Sequence, residues 1–280
     1  MKHETKLAFI GAGNMAEAII SGLLQQQLYR PNQLFVTNRS NKEKLQAMSE
    51  KYKINATHDK KMMLQEANVL VLAVKPKDVA ATLDTFKAYI RADHVIISVA
   101  AGVSTSTITE LLDKQIAVVR SMPNTSAATG ESATALSAGS YATNAHLQLA
   151  IELFETIGTV SVVEEADLHA VTGLSGSGPA YVYYLVEAME QAALDLGLEG
   201  ETAKELILQT IIGAAKMLQT SHKSPETLRK EVMSPGGTTE AGLQVLADYD
   251  AQEAMITCIK RAAQRSEEMG AELAHIMLKS

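Results

Sequence analysis

The sequence predicts an α/β fold in which a doubly wound parallel sheet is followed by an all-helical domain. Three observations predict it. Short β-rich runs alternate with helical stretches through the first half of the 280-residue chain, which is typical of a parallel sheet with helices on both faces. A glycine-rich turn follows the first run, and after about residue 166 only helical periodicity remains. We therefore predict two domains, residues 1–164 and residues 165–280.

The predicted strands of the first domain are short and strongly apolar. Residues 69–74 are apolar at every position, as expected of a strand that is covered on both faces. The strands are predicted at Leu7–Ile10, Leu34–Thr37, Val69–Val74, Val95–Val99 and Ile116–Arg120, with Ala133–Ala138 and Thr159–Val163 as outer strands. Intervening helices are predicted at Asn41–Tyr52 and Asp78–Tyr89.

The second half of the chain has helical periodicity throughout. The helices are predicted at Pro179–Leu196, Thr202–Thr220, Pro225–Met233, Thr239–Ala247 and Gln252–Met277, with Gly197 as a stop. Residues 206–217 are apolar on more than one face, which is typical of a buried helix. A domain of this size has little core in which to bury such a helix, so we expect a subunit interface formed by the helices.

Residues 6–16 match the fingerprint of a dinucleotide-binding (Rossmann) unit, in the strand–turn–helix context that the fingerprint requires. Gly11 would form the turn, Gly13 would let the backbone approach a pyrophosphate, and Ala16 would let the helix pack close to the strand. The first N–H groups of that helix would then point at the phosphates. A plain strand–helix turn is the alternative.

The second predicted strand ends in Asn38, Arg39 and Ser40, where NAD-binding units place a carboxylate for the ribose hydroxyls. No carboxylate is present there, and Arg39 stands where a 2′-phosphate would lie. A guanidinium pairs well with phosphate, and Ser40 would add a hydrogen bond. The residues favour NADPH, with NADH possible; the alternative is that Arg39 is a solvated surface arginine.

Further residues follow the carboxyl ends of other strands, where ligands bind in open α/β sheets. We predict the complete cofactor site to comprise Gly11, Gly13, Asn14, Met15, Ala16, Asn38, Arg39, Ser40, Ala73, Val74, Lys75, Pro76, Ala100, Pro123 and Asn124. A glycine-rich segment, residues 174–181, is either a linker or a loop whose backbone approaches the cofactor.

A second site is predicted at residues 231–242, where glycines and hydroxyl residues lie between two helices. Gly237 and Thr238 would point N–H groups outward, and the following helix start favours negative charge. Such a turn suits the carboxylate of a small substrate. The alternative is a simple capped turn in which Thr238 or Thr239 is the N-cap.

Composition excludes several other classes of protein. A formal net charge of −7 argues against nucleic-acid binding. The lone Cys258 excludes an intrachain disulfide, and we expect it in the core. Scattered histidines predict no metal site. The first residues lack the apolar segment of a signal peptide, and no stretch approaches a membrane span, so a cytoplasmic location is expected.

Five motifs, taken in order, together resemble those of pyrroline-5-carboxylate reductases, and they extend across residues 11–239. They are Gly11-Ala12-Gly13-Asn14-Met15-Ala16, Ala73-Val74-Lys75-Pro76, Met122-Pro123-Asn124-Thr125, Leu174-Ser175-Gly176-Ser177-Gly178-Pro179-Ala180-Tyr181 and Ser234-Pro235-Gly236-Gly237-Thr238-Thr239. The resemblance implies reduction of the cyclic imine 1-pyrroline-5-carboxylate to L-proline, the last step of proline synthesis. It also implies a helical dimerisation domain that interlocks with its partner, in assemblies that are often decamers of five dimers.

By the same resemblance, Ser234, Gly237 and Thr238 would hold the substrate carboxylate, and Thr239 would hydrogen-bond the ring nitrogen as the catalytic residue. The chemistry fits, because an imine is already electrophilic and hydride transfer to it needs orientation more than a strong acid. One departure is visible: the family usually has proline where this chain has Ser126.

Three alternatives remain open from the residues alone. A β-hydroxyacid dehydrogenase would need a general acid/base, and the lysine expected after the 173–179 glycine region is absent from residues 180–185. The second alternative is a reductase that acts on another cyclic imine or on a coenzyme such as F420. The third is a non-catalytic NADP(H)-binding regulator, which would not need the turn at residues 234–239.

Overall fold

The computed structural model describes the backbone of residues 5–279 and the side chains of residues 5–277. Internal contacts divide the chain into two compact units. The first contains the residues up to Ser177 together with those from Lys260 onward, and the second contains residues Gly178–Ile259. This division differs from the predicted boundary after residue 164, which stays a prediction.

The elements follow the expected order of alternating strands and helices, then helices alone. The strands are β1 (Leu7–Ile10), β2 (Leu34–Thr37), β3 (Asn55–Ala56), β4 (Val69–Leu72), β5 (Val95–Ser98), β6 (Ala117–Met122), β7 (Ser132–Ala138) and β8 (Gly158–Val162). The helices are α1 (Asn14–Gln25), α2 (Lys42–Tyr52), α3 (Lys60–Glu66), α4 (Val79–Phe86), α5 (Thr105–Leu112), α6 (Asn144–Phe154), α7 (Leu168–Val171), α8 (Gly178–Asp195), α9 (Gly200–Thr220), α10 (Pro225–Glu231), α11 (Thr238–Asp248) and α12 (Ala251–Lys279).

The strands form one sheet in the order β3-β2-β1-β4-β5-β6-β7-β8. The first six are parallel, whereas β7 pairs antiparallel with β6, so that β7 and β8 run the opposite way. The chain builds outward from β1 through β2 to β3, then crosses to β4 and builds in the other direction. This reversal between β1 and β4 is the switch point of a doubly wound fold, and it confirms the predicted fold class.

Both faces of the sheet are covered. All four residues of β1 are buried, and alternate side chains point into different clusters. Leu7 and Phe9 pack with α1 residues on one face, whereas Ala8 and Ile10 pack with residues of α3, α4 and α5 on the other. The apolar strands therefore follow from burial on two sides.

The C-terminal part of α12 belongs to the first unit. The Ser266 hydroxyl lies 3.0 Å from His169 Nδ1. A methyl group added at Gly270 would lie 2.9 Å from the carbonyl oxygen of Gly102, so glycine permits this close approach. Met277 is buried in the second cluster. Burial, with a further contribution from Arg120, lowers the pKa of His169.

A partly buried ion pair joins the 3₁₀ turn before α7, residues Glu165–Asp167, to the sheet. The Arg120 side chain on β6 is only 5% exposed, and its Nη1 lies 3.3 Å from Glu165 Oε1. The Glu165 carboxylate also accepts hydrogen bonds from the backbone N–H and the hydroxyl of Thr105, at 2.8 and 2.6 Å. Burial lowers the pKa of Arg120, and the facing carboxylate opposes that shift. One carboxylate thus fixes β6 and the first turn of α5.

We expect Glu165→Ala to lower the free energy of unfolding by about 2–3 kcal/mol, because it leaves a buried guanidinium unpaired and removes two hydrogen bonds. Urea denaturation of the variant measures the change. Glu164→Ala, which removes the same charge from an exposed neighbouring position, is the matched control. Equal stability of the two variants would show that the Arg120–Glu165 pair does not contribute to the free energy of unfolding.

The second unit has little core of its own. Among the residues described in α8 to α11, only Ala193, Ala203 and Ile207 are buried. Large apolar side chains are instead exposed, including Tyr184 at 76% and Leu196 at 82%. Helices with so much exposed apolar surface are typical of a subunit interface, as the sequence predicts.

Two details of the helical half were also predicted from sequence. Gly197 has a φ of +81° just after α8, which is the left-handed conformation expected at a helix stop. The expectation that Cys258 lies in the core was wrong, because this residue is exposed on α12. The helix is apolar around Cys258, but within the chain that surface faces outward.

Candidate active site

The switch point brings the turn after β1 against the loop after β4. Gly11 has a φ of +115°, and a methyl group added there would lie 2.3 Å from the carbonyl oxygen of Ala73. The Gly11 N–H donates to the Thr37 carbonyl at 2.9 Å, and the Ala73 N–H donates to the Ile10 carbonyl at 2.9 Å. Only glycine fits this conformation at this distance from another backbone.

The start of α1 is open to a ligand. Gly13 is the N-cap in an extended conformation, and no side chain caps the helix. A methyl group on Gly13 would meet no atom within 4 Å. The N–H groups of Asn14, Met15 and Ala16 form the first turn, where a helix has no carbonyl partners of its own. Ala16 is fully buried against the sheet, so the helix starts close to the carboxyl end of β1.

The loop after β2 presents a cation and a hydroxyl to solvent. Arg39 and Ser40 are both exposed. Among the ion pairs found within residues 5–277, none involves Arg39, so its guanidinium is available to an anion. The Asn38 side chain is different, because its Nδ2 donates to the Asn41 carbonyl at 2.7 Å.

The loops after β4 and β5 border the same edge. Ala73, Val74 and Pro76 are half-buried, whereas Lys75 is exposed. Ala100 is 1% exposed and packs in the second cluster, with its N–H 3.3 Å from Ser98 Oγ. Its methyl group is therefore part of the core, and its role toward a cofactor stays a prediction.

The loop after β6 holds the glycine-rich segment of the first unit. Asn124 is buried, and its Nδ2 donates to the Ser175 carbonyl at 3.0 Å. A methyl group on Gly176 would lie 2.6 Å from Met122 Cε. Residues 172–176 form a single π-helical turn, a feature that is frequent at functional sites. Residues 172–176 are thus a packed element, and the role of the whole segment 174–181, as linker or as cofactor loop, stays a prediction.

Ser126 changes the local bonding of that loop. Its N–H donates to Asn124 Oδ1 at 3.1 Å, a hydrogen bond that proline cannot make. The Asn124 amide therefore has both ends bonded within the chain, so its side chain supports the loop instead of facing outward. Pro123 is buried beside it, and the 3₁₀ turn that follows, residues 125–129, packs against α1.

The predicted substrate turn lies in the second unit. Gly236 has a φ of +69°, and its N–H is hydrogen-bonded to the Glu240 carboxylate at 2.6 Å. The N-cap of α11 is Gly237, and no side chain caps it. The alternative in which Thr238 or Thr239 is the N-cap is therefore wrong.

The same turn corrects one donor assignment. The Gly237 N–H does not point outward but donates to the Ser234 carbonyl at 2.9 Å. The donors that remain for a ligand are the first N–H groups of α11 and the hydroxyls of Ser234, Thr238 and Thr239. Ser234 and Thr238 are exposed, and Thr239 is half-buried.

Two residues near these loops were missed by the sequence analysis. His58 Nε2 lies 3.3 Å from Asn38 Oδ1 across 20 residues of sequence, and Glu165 bonds Thr105 across 60 residues. Neither belongs to a motif, and both depend on how the sheet brings distant loops together.

An open helix start at the switch point of a doubly wound sheet, followed in the chain by a helical unit, is the arrangement of a nicotinamide-dinucleotide-dependent oxidoreductase. Two family models match the chain: "NADP oxidoreductase coenzyme F420-dependent" over residues 6–102 and "Pyrroline-5-carboxylate reductase dimerisation" over residues 165–269. The chain belongs to the pyrroline-5-carboxylate reductase family, and its helical domain is a dimerisation domain of an oligomeric enzyme.

Individual relatives support this membership over the full length. The chain is 48% identical to pyrroline-5-carboxylate reductase 2 of Bacillus subtilis, covering 96% of each protein. It is similar to the solved reductase of Coxiella burnetii, with a TM-score of 0.87, 38% identity, and 95% and 98% of the two chains covered. The Plasmodium falciparum reductase, solved with NADP bound, has a TM-score of 0.88 at 27% identity, and the match covers 96% of this chain and 100% of that one.

No helix within residues 5–279 combines the length and apolar character that crossing a membrane requires.

Proposed function

We propose that the chain reduces 1-pyrroline-5-carboxylate to L-proline, the final step of proline biosynthesis, with NADPH as the preferred cofactor and NADH as an alternative. The observation that supports this most directly is that one chain combines an open phosphate turn at Gly13 with an uncapped, hydroxyl-lined turn at the start of α11. The first suits a dinucleotide and the second suits the carboxylate of a small imino acid.

The residues present fit the cofactor. The N–H groups at the start of α1 would receive the pyrophosphate, since the space around Gly13 is open. The exposed Arg39 guanidinium and the Ser40 hydroxyl would receive the 2′-phosphate. NADPH, when bound, supplies the hydride. Lys75 and the backbone of residues 73–76 and 123–124 would line the remaining path along the sheet edge.

The residues of the second turn would hold the substrate. The Ser234 and Thr238 hydroxyls and the helix start would bind its carboxylate. The Thr239 hydroxyl would hydrogen-bond the ring nitrogen and hold it in one orientation. Across the C=N bond the reaction adds one hydride to carbon and one proton to nitrogen. The imine nitrogen takes its proton from solvent, and hydride transfer to the resulting iminium completes the reduction. The protein then needs to provide orientation and a hydrogen-bonding group at the nitrogen.

The activity is tested by the loss of NADPH absorbance with 1-pyrroline-5-carboxylate, with a ketoacid as the control substrate. Rapid oxidation with the imine alone supports the proposal. Turnover of the ketoacid alone would favour a hydroxyacid dehydrogenase instead. Absence of turnover with every substrate, despite binding of NADPH, would favour a regulator.

We expect Arg39→Ala to raise the KM for NADPH about tenfold while changing the KM for NADH less than twofold, because only NADPH carries the phosphate that Arg39 would bind. Initial rates at saturating imine measure both values. Arg30→Ala removes an exposed arginine from the opposite, amino end of β2 and is the matched control. A parallel loss with both cofactors would exclude Arg39 from phosphate recognition.

The assembly proposed is a homodimer formed through the exposed apolar faces of α8, α9, α11 and α12, with five dimers forming a decamer. The exposed side chains of the helical unit support the dimer. Sedimentation velocity distinguishes the two sizes directly: a dimer alone would exclude the decamer, and a monomer would exclude both.

We also propose a cytoplasmic location for the protein, which cell fractionation tests.

A further inference from the structure

Two loops meet at the carboxyl ends of the edge strand β3 and its neighbour β2. The Thr57 N–H continues the β3 pairing by donating to the Val36 carbonyl at 3.0 Å. Thr57 Oγ1 in turn accepts the Asp59 N–H at 3.0 Å, and Asp59 caps α3 by accepting the Met62 N–H at 2.9 Å. The backbone on both sides of His58 is therefore fixed, and its ring is placed beside the loop that follows β2.

The hydrogen bonds of Asn38 determine which atoms face His58. Asn38 Nδ2 donates to the Asn41 carbonyl at 2.7 Å, so its Oδ1 is the atom that lies 3.3 Å from His58 Nε2. An amide oxygen accepts hydrogen bonds and donates none. His58 Nε2 must therefore be the donor, and Nδ1 is left for solvent or another partner.

These hydrogen bonds fix both ends of the loop at residues 38–41, which joins β2 to α2. Asn38 is held by His58 and Asn41, and Asn41 Oδ1 accepts the Lys44 N–H at 2.8 Å as the N-cap of α2. The Asn38 amide thus has an internal role, and the contact of Asn38 with the cofactor stays a prediction. Between the two fixed asparagines lie Arg39 and Ser40, whose side chains are exposed.

We propose that His58 is a positioning residue that determines specificity for NADPH over NADH, an inference that rests on the proposed function. By donating to Asn38 it holds the loop in the conformation that presents Arg39 and Ser40 to a 2′-phosphomonoester. NADH has no 2′-phosphate, so its binding does not depend on that conformation of the loop. Loss of the His58 donor therefore weakens recognition of the phosphate and leaves the rest of the dinucleotide site unchanged.

The test uses two adenosine fragments, 2′,5′-ADP and 5′-AMP, in calorimetric titrations of the full-length protein. In His58→Phe, which keeps a ring but removes the donor, we expect 2′,5′-ADP to bind three- to tenfold more weakly, about the worth of one hydrogen bond. Binding of 5′-AMP is expected to be unchanged. His58→Gln restores an N–H donor and is expected to return 2′,5′-ADP affinity to within twofold of the starting protein.

Unchanged affinity for 2′,5′-ADP in His58→Phe, or an equal loss for both fragments, would overturn the inference. So would failure of His58→Gln to restore the affinity. Arg39→Ala separates this inference from the proposed function. If Arg39→Ala loses the preference for 2′,5′-ADP but His58→Phe keeps it, the phosphate site stands and the role of His58 is wrong. If the unmodified protein binds both fragments equally, the proposed phosphate site is itself wrong.

Discussion

Gly11→Ala is expected to abolish NADPH binding and to lower the free energy of unfolding by about 3–5 kcal/mol. Two costs add at this position. The φ of +115° disfavours any residue with a Cβ, and that Cβ would lie 2.3 Å from the Ala73 carbonyl oxygen. The clashing atom belongs to the backbone of the loop after β4, so it cannot rotate away as a side chain could. The clash is removed only if β1 and β4 move apart at the switch point. Thermal unfolding and NADPH fluorescence titration measure the two effects.

Gly13→Ala is the control that distinguishes the turn from the ligand space. Gly13 has a φ of −81°, and an added methyl group meets nothing within 4 Å. The stability of this variant should stay within about 1 kcal/mol of the starting protein, while the methyl group obstructs the approaching pyrophosphate and weakens NADPH binding. If Gly11→Ala were as stable as Gly13→Ala, the close contact with Ala73 would not constrain the fold.

Thr239→Ala is expected to lower kcat about a hundredfold, in the range that a positioned hydrogen-bonding group contributes to proton-coupled steps. The KM for NADPH should change less than twofold, because the proposed partner of the hydroxyl is the substrate nitrogen. The measurement is a pair of initial-rate series with imine and NADPH varied in turn. Thr239 is the second residue of α11, so its removal leaves the Gly237 cap intact.

Thr239→Ser keeps the hydroxyl and is expected to retain at least a third of kcat, whereas Thr238→Ala should mainly raise the KM for the imine. That contrast assigns nitrogen contact to one threonine and carboxylate contact to the other. Identical kinetics in Thr239→Ala and the starting protein would remove Thr239 from the mechanism.

Much of the fold was predictable because the sheet is buried on both faces. The strands β1 and β2 were predicted with their observed bounds, since each is an apolar run between turn residues. β3 was not predicted, because Asn55 and Ala56 have neither the β-branched nor the aromatic side chains that mark strands. The helix α5 was also missed. Its first five residues include three threonines, and it depends on Ser104 as N-cap and on distant Glu165.

The candidate site was predictable only where it is local in sequence. Gly11 and the α11 turn were found because glycine and hydroxyl patterns have fixed meanings beside a strand or a helix start. The direction in which individual amide groups form hydrogen bonds was not predictable from the sequence. The Gly237 N–H bonds Ser234, and the amides of Asn38 and Asn124 bond within the chain. The Asn124–Ser175 bond joins residues 51 positions apart and depends on a tertiary contact that no short pattern contains. The other two bonds each span three residues and depend on the conformation of the local turn.

The contribution of α12 to the first unit has a consequence for how the chain is made. Domains generally fold as they emerge from the ribosome, N-terminal parts first. Here the dinucleotide-binding unit includes residues from Lys260 onward, and Leu273 and Met277 pack against one face of its sheet. We therefore expect part of that face to stay uncovered in the nascent unit until residues 260–277 are synthesised.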